Sequence, residues 1–302
     1  MASASLVHAE PRRLGDLPPV GPIGYGQMRV PTDDRSGARA LLEAALDAGM
    51  NLVDTADVYG LDADGGGFGA VEEVLGAVLA EAPQLRDRLV LATKGGIRPP
   101  VPYDSSPTSL RVACEASLRR LRVESIDLYQ IHRPDMFTHP ADVAATLSAL
   151  RDEGKIREVG VSNHTPAQVE ALRAHLPFPI VSNQPEYSAV HLDPLRDGTL
   201  DVCMHHGITP IAWSPLAGGR LATGEGVRPE LLAVIDAVAV REDTDRATVA
   251  LAFVLAHPSA PIAIVGTQRP ERVVASTAAL GITIDRSDVY AIVQASEGVA
   301  LP

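Results

Sequence analysis

The segment Asn51-Leu-Val-Asp-Thr-Ala-Asp-Val-Tyr-Gly60 begins with a short apolar run and continues into aspartates, a tyrosine and a glycine. Such a run is typical of a buried strand in a parallel sheet, where functional side chains follow the carboxyl end of the strand. Residues 51–54 therefore predict a strand that ends at Asp54. Tyr59 lies five residues further on, close enough for a loop to fold its phenol back over the strand end.

Two later segments have the same form. Residues 89–93 are followed by Lys94, and residues 126–131 are followed by His132. Three consecutive strands would thus place Asp54, Lys94 and His132 at one rim. Counting a weaker first run, eight candidate strands alternate with longer segments of helical periodicity. The candidate strands are 20–24, 51–54, 89–93, 126–131, 158–162, 180–183, 209–213 and 261–265.

The intervening segments carry apolar residues at helical spacing. One example is Leu110, Cys114 and Leu118, and Gly154 is expected to end a helix that contains Leu147. The other predicted helices are 41–48, 71–79, 166–176, 229–240, 247–256, 270–280 and 285–297.

Eight strands, each followed by a helix-sized segment, favour a closed (β/α)8 TIM barrel of the α/β class. An open doubly wound sheet usually has fewer strands. We expect a single domain over residues 1–302, with the helices at 229–240 and 247–256 as an insertion before the eighth strand.

Composition limits the possible partners. The chain has 26 Lys and Arg against 38 Asp and Glu, a formal net charge of −12, which argues against an extended surface for nucleic acid or anionic membranes. Cys114 and Cys203 are too few for a disulfide framework, and the adjacent His205 and His206 lack further metal ligands. No apolar stretch approaches the roughly 18 residues of a membrane span, and no signal peptide is evident. We expect a cytoplasmic protein without a metal.

The residues at the predicted rim suit carbonyl chemistry. A free tyrosine has a pKa of about 10, so Tyr59 needs a neighbouring cation such as Lys94 to exchange protons at neutral pH. Asp54 would keep that ammonium charged in a half-buried site. Neutral His132 could donate a hydrogen bond to a carbonyl oxygen, which becomes negative as hydride arrives at carbon.

Taken together, these segments resemble the aldo-keto reductase family, and the resemblance spans essentially the whole chain. The matching motifs are Asp-Thr-Ala-Asp-x-Tyr-Gly at 54–60, Thr-Lys-Gly at 93–95, Ile-His-Arg at 131–133, Gly-Val-Ser-Asn at 160–163, Asn-Gln at 183–184 and Ala-Trp-Ser-Pro-Leu at 212–216. The resemblance implies that Asp54, Tyr59, Lys94 and His132 form a catalytic tetrad for the reduction of a small-molecule aldehyde or ketone.

The resemblance also implies how a nicotinamide cofactor would be held across the barrel mouth. Trp213 would stack on the nicotinamide ring. Ser162, Asn163 and Gln184 would hold the carboxamide, and Ser214, Leu216 and Gly218 would line the pyrophosphate. The phosphate loop would consist of Gly266, Thr267, Gln268, Arg269 and Arg272.

Arg269 and Arg272 beside the predicted helix start suggest a 2′-phosphate, and hence NADP(H) over NAD(H). The sequence departs from the family pattern at Val265, where a proline is usual, and at Ala275 and Ser276, where a Glu-Asn pair commonly contacts adenine. The adenine contacts therefore stay open. The loop at 61–69 is longer and richer in glycine than usual, so the substrate cannot be carried over from the family.

Three other interpretations deserve comparison. A Schiff-base lyase would use Lys94 as a nucleophile, but Asp54 keeps that amine protonated. A nicotinamide-binding regulatory protein with slow turnover is compatible with an intact tetrad. Gly65, Gly67 and Ala70 satisfy the G-x-G-x-x-A pattern of open dinucleotide-binding sheets, but they follow a loop rather than a strand. Substrate class, from simple aldehydes to sugars and steroids, and oligomeric state stay open.

Overall fold

The computed structural model describes residues 4–61 and 66–302, and its centre is a closed barrel of eight parallel strands. The strands follow chain order around the barrel, and the last pairs with the first, with Ala263 opposite Ile23. This arrangement confirms the predicted (β/α)8 TIM barrel. The strands are β1 Ile23–Gly26, β2 Leu52–Asp54, β3 Val90–Gly95, β4 Ile126–Ile131, β5 Ile156–Ser162, β6 Ser182–Gln184, β7 Thr209–Ala212 and β8 Ile262–Val265.

Helices surround the barrel. They are α1 Arg35–Asp47, α2 Ala70–Glu81, α3 Pro107–Leu121, α4 Pro140–Asp152, α5 Pro166–Arg173, α6 Thr199–His206, α7 Arg220–Thr223, α8 Pro229–Arg241, α9 Arg246–Leu255, α10 Pro270–Ala275 and α11 Arg286–Glu297. The predicted insertion before the eighth strand is confirmed, since α7, α8 and α9 lie between β7 and β8. Part of the glycine-rich loop, residues 62–65 with Gly65 of the rejected fingerprint, lies outside the described residues.

Several helix ends follow their local sequence. Gly154 has φ +73° directly after α4, the left-handed conformation that commonly ends a helix. Thr165 and Gln168 form a reciprocal capping box at the start of α5. The predicted helix at 270–280 is divided, because α10 stops at Ala275 and residues 276–280 continue as a 3₁₀ helix.

The predicted bounds of the first strand were wrong. It spans Ile23–Gly26 rather than 20–24. Pro22 has no N–H to give to a sheet, although its carbonyl accepts from Ala263 N at 3.0 Å, so the strand proper starts one residue later. Val20 instead pairs with Arg12 in an antiparallel bridge.

The barrel interior is divided into an apolar floor and a polar mouth. Leu14, Leu17 and Val20 from the N-terminal segment pack with inward-facing strand residues such as Leu52 and Leu128. Side chains two residues apart on a strand face the same side. The residues that follow the floor on β2, β3 and β4 therefore also point inward, and they are Asp54, Lys94 and Gln130.

Outside the barrel, an extensive apolar layer fills the space between strands and helices. Among the described residues, no helix is both long and apolar enough to cross a membrane.

Candidate active site

A buried ion pair lies at the centre of the polar mouth. Lys94 Nζ is 2.6 Å from Asp54 Oδ2, and the two residues are 0% and 3% exposed. The same ammonium donates to Thr55 O at 2.9 Å and to the Tyr59 hydroxyl at 3.2 Å. An ammonium has three hydrogens, so Lys94 has one partner for each. Tyr59 is thereby tied to a fixed cation.

The second oxygen of Asp54 is also engaged. Gln184 Nε2 donates to Asp54 Oδ1 at 3.0 Å, and Gln130 Nε2 lies 3.4 Å from the same oxygen. Gln130 Oε1 in turn accepts from Ser182 Oγ at 3.1 Å. Sequence reasoning missed Gln130, although its position two residues before His132 on an inward-facing row was a usable signal.

The charges in this group follow from burial and contact. Burial lowers the pKa of Lys94, but Asp54 and Tyr59 together raise it by more than burial lowers it. The net shift is therefore upward, and the ammonium stays charged. Burial raises the pKa of Tyr59, and the opposing effect of Lys94 is smaller. Tyr59 is therefore a neutral phenol that retains its proton at neutral pH.

His132 is an uncharged imidazole beside this phenol. Burial, followed by the positive charges of Lys94 and Arg133, lowers its pKa well below the usual value. Its Nδ1 is buried and has no hydrogen-bond partner among the described residues. The rings of Tyr59 and His132 meet edge to face, with centroids 5.9 Å apart. The structure thus brings together all four residues of the predicted tetrad.

A second group of side chains fixes an indole on the opposite side of the mouth. Trp213 Nε1 donates to Asn163 Oδ1 at 3.0 Å, and Asn163 Nδ2 donates to Ser162 Oγ at 2.7 Å. Ser162 Oγ donates to the Gln184 carbonyl at 2.9 Å. The Arg133 guanidinium lies 5.7 Å from the Trp213 ring centroid. The half-exposed indole is therefore held on several sides.

The backbone in this half of the mouth is strained. Asn163 has φ +56° and Ser214 has φ +51°, in the left-handed region that non-glycine residues rarely adopt. Such strain is common at functional sites, where the surrounding structure holds it in place. Leu216 precedes a short 3₁₀ turn that contains Gly218 at φ +71°.

The loops after β1, β7 and β8 meet at Arg29, which sequence reasoning did not single out. The guanidinium of Arg29 lies beside Gly218, where an added Cβ would be 3.7 Å from Nη2. The side chain of Gln268 donates to the Arg29 carbonyl. No motif marked Arg29, since these contacts join residues more than 180 positions apart.

The predicted phosphate loop is accessible. Gly266, Gln268, Arg269 and Arg272 are exposed and Thr267 is half-buried. Neither arginine forms an ion pair within the described part of the chain, so both charges are available. A fixed indole face, a neutral hydrogen-bond donor and a cationic loop on one rim suit an extended nicotinamide dinucleotide. Within residues 4–61 and 66–302, no cluster of three or more His, Cys, Asp or Glu is arranged to hold a metal ion.

Comparison with known proteins identifies the family. The model of the Aldo/keto reductase family matches residues 22–297. The chain belongs to the aldo-keto reductase family. It is therefore an oxidoreductase that acts on a small molecule, in a family that uses nicotinamide cofactors.

Relatives of this aldo-keto reductase match over nearly their whole length. A 6-dehydroglucose reductase of Novosphingobium aromaticivorans is 46% identical, with 94% of each chain covered. A 6-dehydroglucose reductase of Agrobacterium fabrum is 34% identical over 90% of this chain and 93% of its own. A thermostable aldo-keto reductase solved with the inhibitor epalrestat has the same fold, with a TM-score of 0.82, 24% identity, and coverage of 95% of this chain and 99% of the other.

The ion pair at the centre of this aldo-keto reductase should be strongly coupled. In Asp54→Asn, the Lys94 ammonium keeps only uncharged partners in a buried site, so we expect the free energy of unfolding to fall by about 3–5 kcal/mol. Lys94→Met should likewise leave the Asp54 carboxylate without a counter-ion. The double variant removes both charges, and its loss should fall short of the summed single losses by about 0.5–3 kcal/mol. Urea unfolding measures each value, and strictly additive losses would contradict the coupling.

Proposed function

We propose that this protein catalyses the reversible, NADPH-dependent reduction of an aldehyde or ketone to an alcohol, with Tyr59 as the proton donor. The observation that carries this proposal is the hydrogen bond that the Tyr59 hydroxyl accepts from the charged Lys94 Nζ at 3.2 Å, beside an uncharged His132. A cation at this position stabilises the phenolate that remains after Tyr59 gives up its proton. A buried cation beside a tyrosine hydroxyl at the barrel mouth is the arrangement that proton transfer by Tyr59 requires.

When bound, NADPH supplies the hydride that reduces the carbonyl carbon. Tyr59 and His132 would both donate hydrogen bonds to the carbonyl oxygen, where negative charge develops. Tyr59 then gives its proton to that oxygen, and Lys94 holds the resulting phenolate. Asp54 keeps Lys94 charged throughout the cycle. In the oxidative direction, the Tyr59 phenolate would take the proton of the alcohol.

The second half of the mouth supports the cofactor assignment. Trp213 presents a fixed, half-exposed indole on which the nicotinamide would stack, and Asn163 and Ser162 lie next to it as carboxamide partners. Gln184 donates to Asp54, so a role in holding the carboxamide would link the cofactor directly to the ion pair. Arg29 adds a third exposed guanidinium to those of Arg269 and Arg272, and the pyrophosphate and 2′-phosphate would be their anions.

Two observations guide the choice of substrate. Relatives at 46% and 34% identity are named 6-dehydroglucose reductases, so a 6-dehydro sugar is the first carbonyl to test. The mouth also carries exposed apolar side chains, with Met136 72% and Phe137 94% exposed. Asp135 accepts from Ser105 N and Phe137 N at 2.8 and 2.9 Å, which fixes the loops after β3 and β4 to one another. An apolar group attached to the sugar would find a surface here.

The central assay is NADPH consumption with Tyr59→Phe. This change removes only the hydroxyl, so we expect NADPH binding to persist while kcat/KM for carbonyl reduction falls by about 10²–10⁴-fold. Tyr103→Phe is the matched control, because it removes another tyrosine hydroxyl from a neighbouring loop of the same mouth.

The substrates should include a free 6-dehydro sugar, its glycoside with an aromatic group, and simple aromatic aldehydes. An undiminished rate in Tyr59→Phe would contradict the assignment of Tyr59. Tight NADPH binding without turnover of any carbonyl would instead indicate a nicotinamide-binding regulatory protein.

The preference for NADPH should depend on Arg272. In Arg272→Ala the 2′-phosphate loses a charged hydrogen-bond donor, worth about 1.5–3 kcal/mol, so we expect NADPH to bind roughly tenfold or more weakly while NADH changes little. Titration of the cofactors by protein fluorescence measures both affinities, since Trp213 lies at the site. Arg39→Ala, which removes a half-buried arginine on α1 that pairs with Glu43, is the control. Equal losses for the two cofactors would refute the 2′-phosphate assignment.

A further inference from the structure

The second aspartate of the 54–60 segment has no role in the chemistry described above. Asp57 is 1% exposed, and its Oδ1 has no hydrogen-bond partner among the described residues. Its backbone N–H donates to the Lys94 carbonyl at 3.0 Å. The Asp57 backbone therefore anchors the loop two residues before Tyr59, and its carboxyl group is buried.

A neighbouring acid already uses the nearest guanidinium. Glu72 on α2 is 0% exposed, and its Oε2 lies 2.7 Å from Arg120 Nη2 on α3. Its other oxygen accepts from Thr93 Oγ1 at 2.6 Å. The Arg120 side chain also packs closely against Gly69, where an added Cβ would lie 2.5 Å from its Cδ.

Acids outnumber cations in this region, where the Arg120 side chain is 16% exposed and the other charged groups are buried. The three acids are Asp54, Asp57 and Glu72, and the two cations are Lys94 and Arg120. Asp54 pairs with Lys94 and Glu72 with Arg120. Asp57 has no ion pair within the described chain, and residues 62–65, outside that part, include no basic side chain. An isolated buried carboxylate is costly enough that the group normally takes up a proton instead.

The electrostatic surroundings of Asp57 agree with this balance. Burial raises the pKa of Asp57 well above its usual value and Glu72 raises it further, while Arg120 and Lys94 oppose the shift only in part. Burial raises the pKa of Tyr129 on β4, and the charges of Glu72 and Arg120 also shift it. The hydroxyl of Tyr129 is buried without a hydrogen-bond partner in the described chain. A methyl group at Gly95 would overlap that hydroxyl, so this position must stay glycine.

We propose that Asp57 is a positioning residue that is present as an uncharged carboxylic acid and so leaves the Lys94 charge to Tyr59. This inference rests on the proposed role of Tyr59 as proton donor. A charged Asp57 would place a second carboxylate near Lys94 and would disfavour the Tyr59 phenolate. An uncharged Asp57 keeps its place in the buried cluster without that effect.

The protonation state can be measured without any substrate. Infrared spectra of the unaltered protein at pH 7 should contain the C=O stretch of a protonated carboxyl group, shifted in D₂O and absent from Asp57→Asn. In Glu72→Gln, Arg120 is freed to pair with Asp57, so the same band should disappear. If no band depends on Asp57, the carboxyl is ionised and the proposal is wrong. Because this readout needs no turnover, it is independent of whether Tyr59 is the proton donor.

The coupling to Tyr59 requires a kinetic measurement. Asp57 is uncharged below its raised pKa and becomes charged as the pH rises through it, and its charge should then disfavour the Tyr59 phenolate and raise the pKa at which Tyr59 loses its proton. In Asp57→Asn this charge cannot form, so we expect the alkaline limb of the kcat profile, where Tyr59 loses its proton, to move to lower pH by about 1 pH unit. A purely structural role would lower kcat at every pH and leave the limb in place, which would overturn the proposed coupling.

Discussion

A buried ammonium is the constraint on which the rest of the structure depends. Lys94 is 0% exposed, and burying its charge is tolerable only because Asp54 lies 2.6 Å away and every hydrogen of the ammonium has a partner. Asp54 in turn is held by Gln184 and Gln130, so side chains from β2, β3, β4 and β6 must converge at one height in the barrel. A closed barrel with an apolar floor provides that convergence, and Tyr59 gains a fixed, charged neighbour from it.

Much of this arrangement follows from the sequence, because strand alternation is local. Eight apolar runs that alternate with helical segments predicted the barrel, and the runs before Asp54, Lys94 and His132 predicted the rim at which these residues meet. The first strand was misplaced because Pro22 breaks the ladder within its apolar run. Other features depend on distant pairs: Gln184 reaches Asp54 across 130 positions, and no spacing rule reveals that contact. Arg29 was missed for the same reason, whereas the position of Gln130 two residues before His132 could have revealed it.

The two halves of the mouth differ in how they are made rigid. On the tetrad side, ion pairs and burial set the protonation states: Lys94 charged, Tyr59 and His132 neutral. On the opposite side, hydrogen bonds among Trp213, Asn163 and Ser162 fix the indole. A reaction that moves a hydride and a proton to adjacent atoms needs both kinds of fixation, since small displacements of reacting groups are costly.

The most direct test of the central claim is a crystal structure of the protein with NADP⁺ bound. We expect the nicotinamide ring to stack on the Trp213 indole, with the reactive carbon of the ring facing the Tyr59 hydroxyl and with the Lys94–Asp54 pair intact. A bound carbonyl or alcohol should place its oxygen within hydrogen-bond distance of both Tyr59 and His132. A nicotinamide that lies away from Trp213, or a substrate oxygen out of reach of Tyr59, would contradict the proposed chemistry.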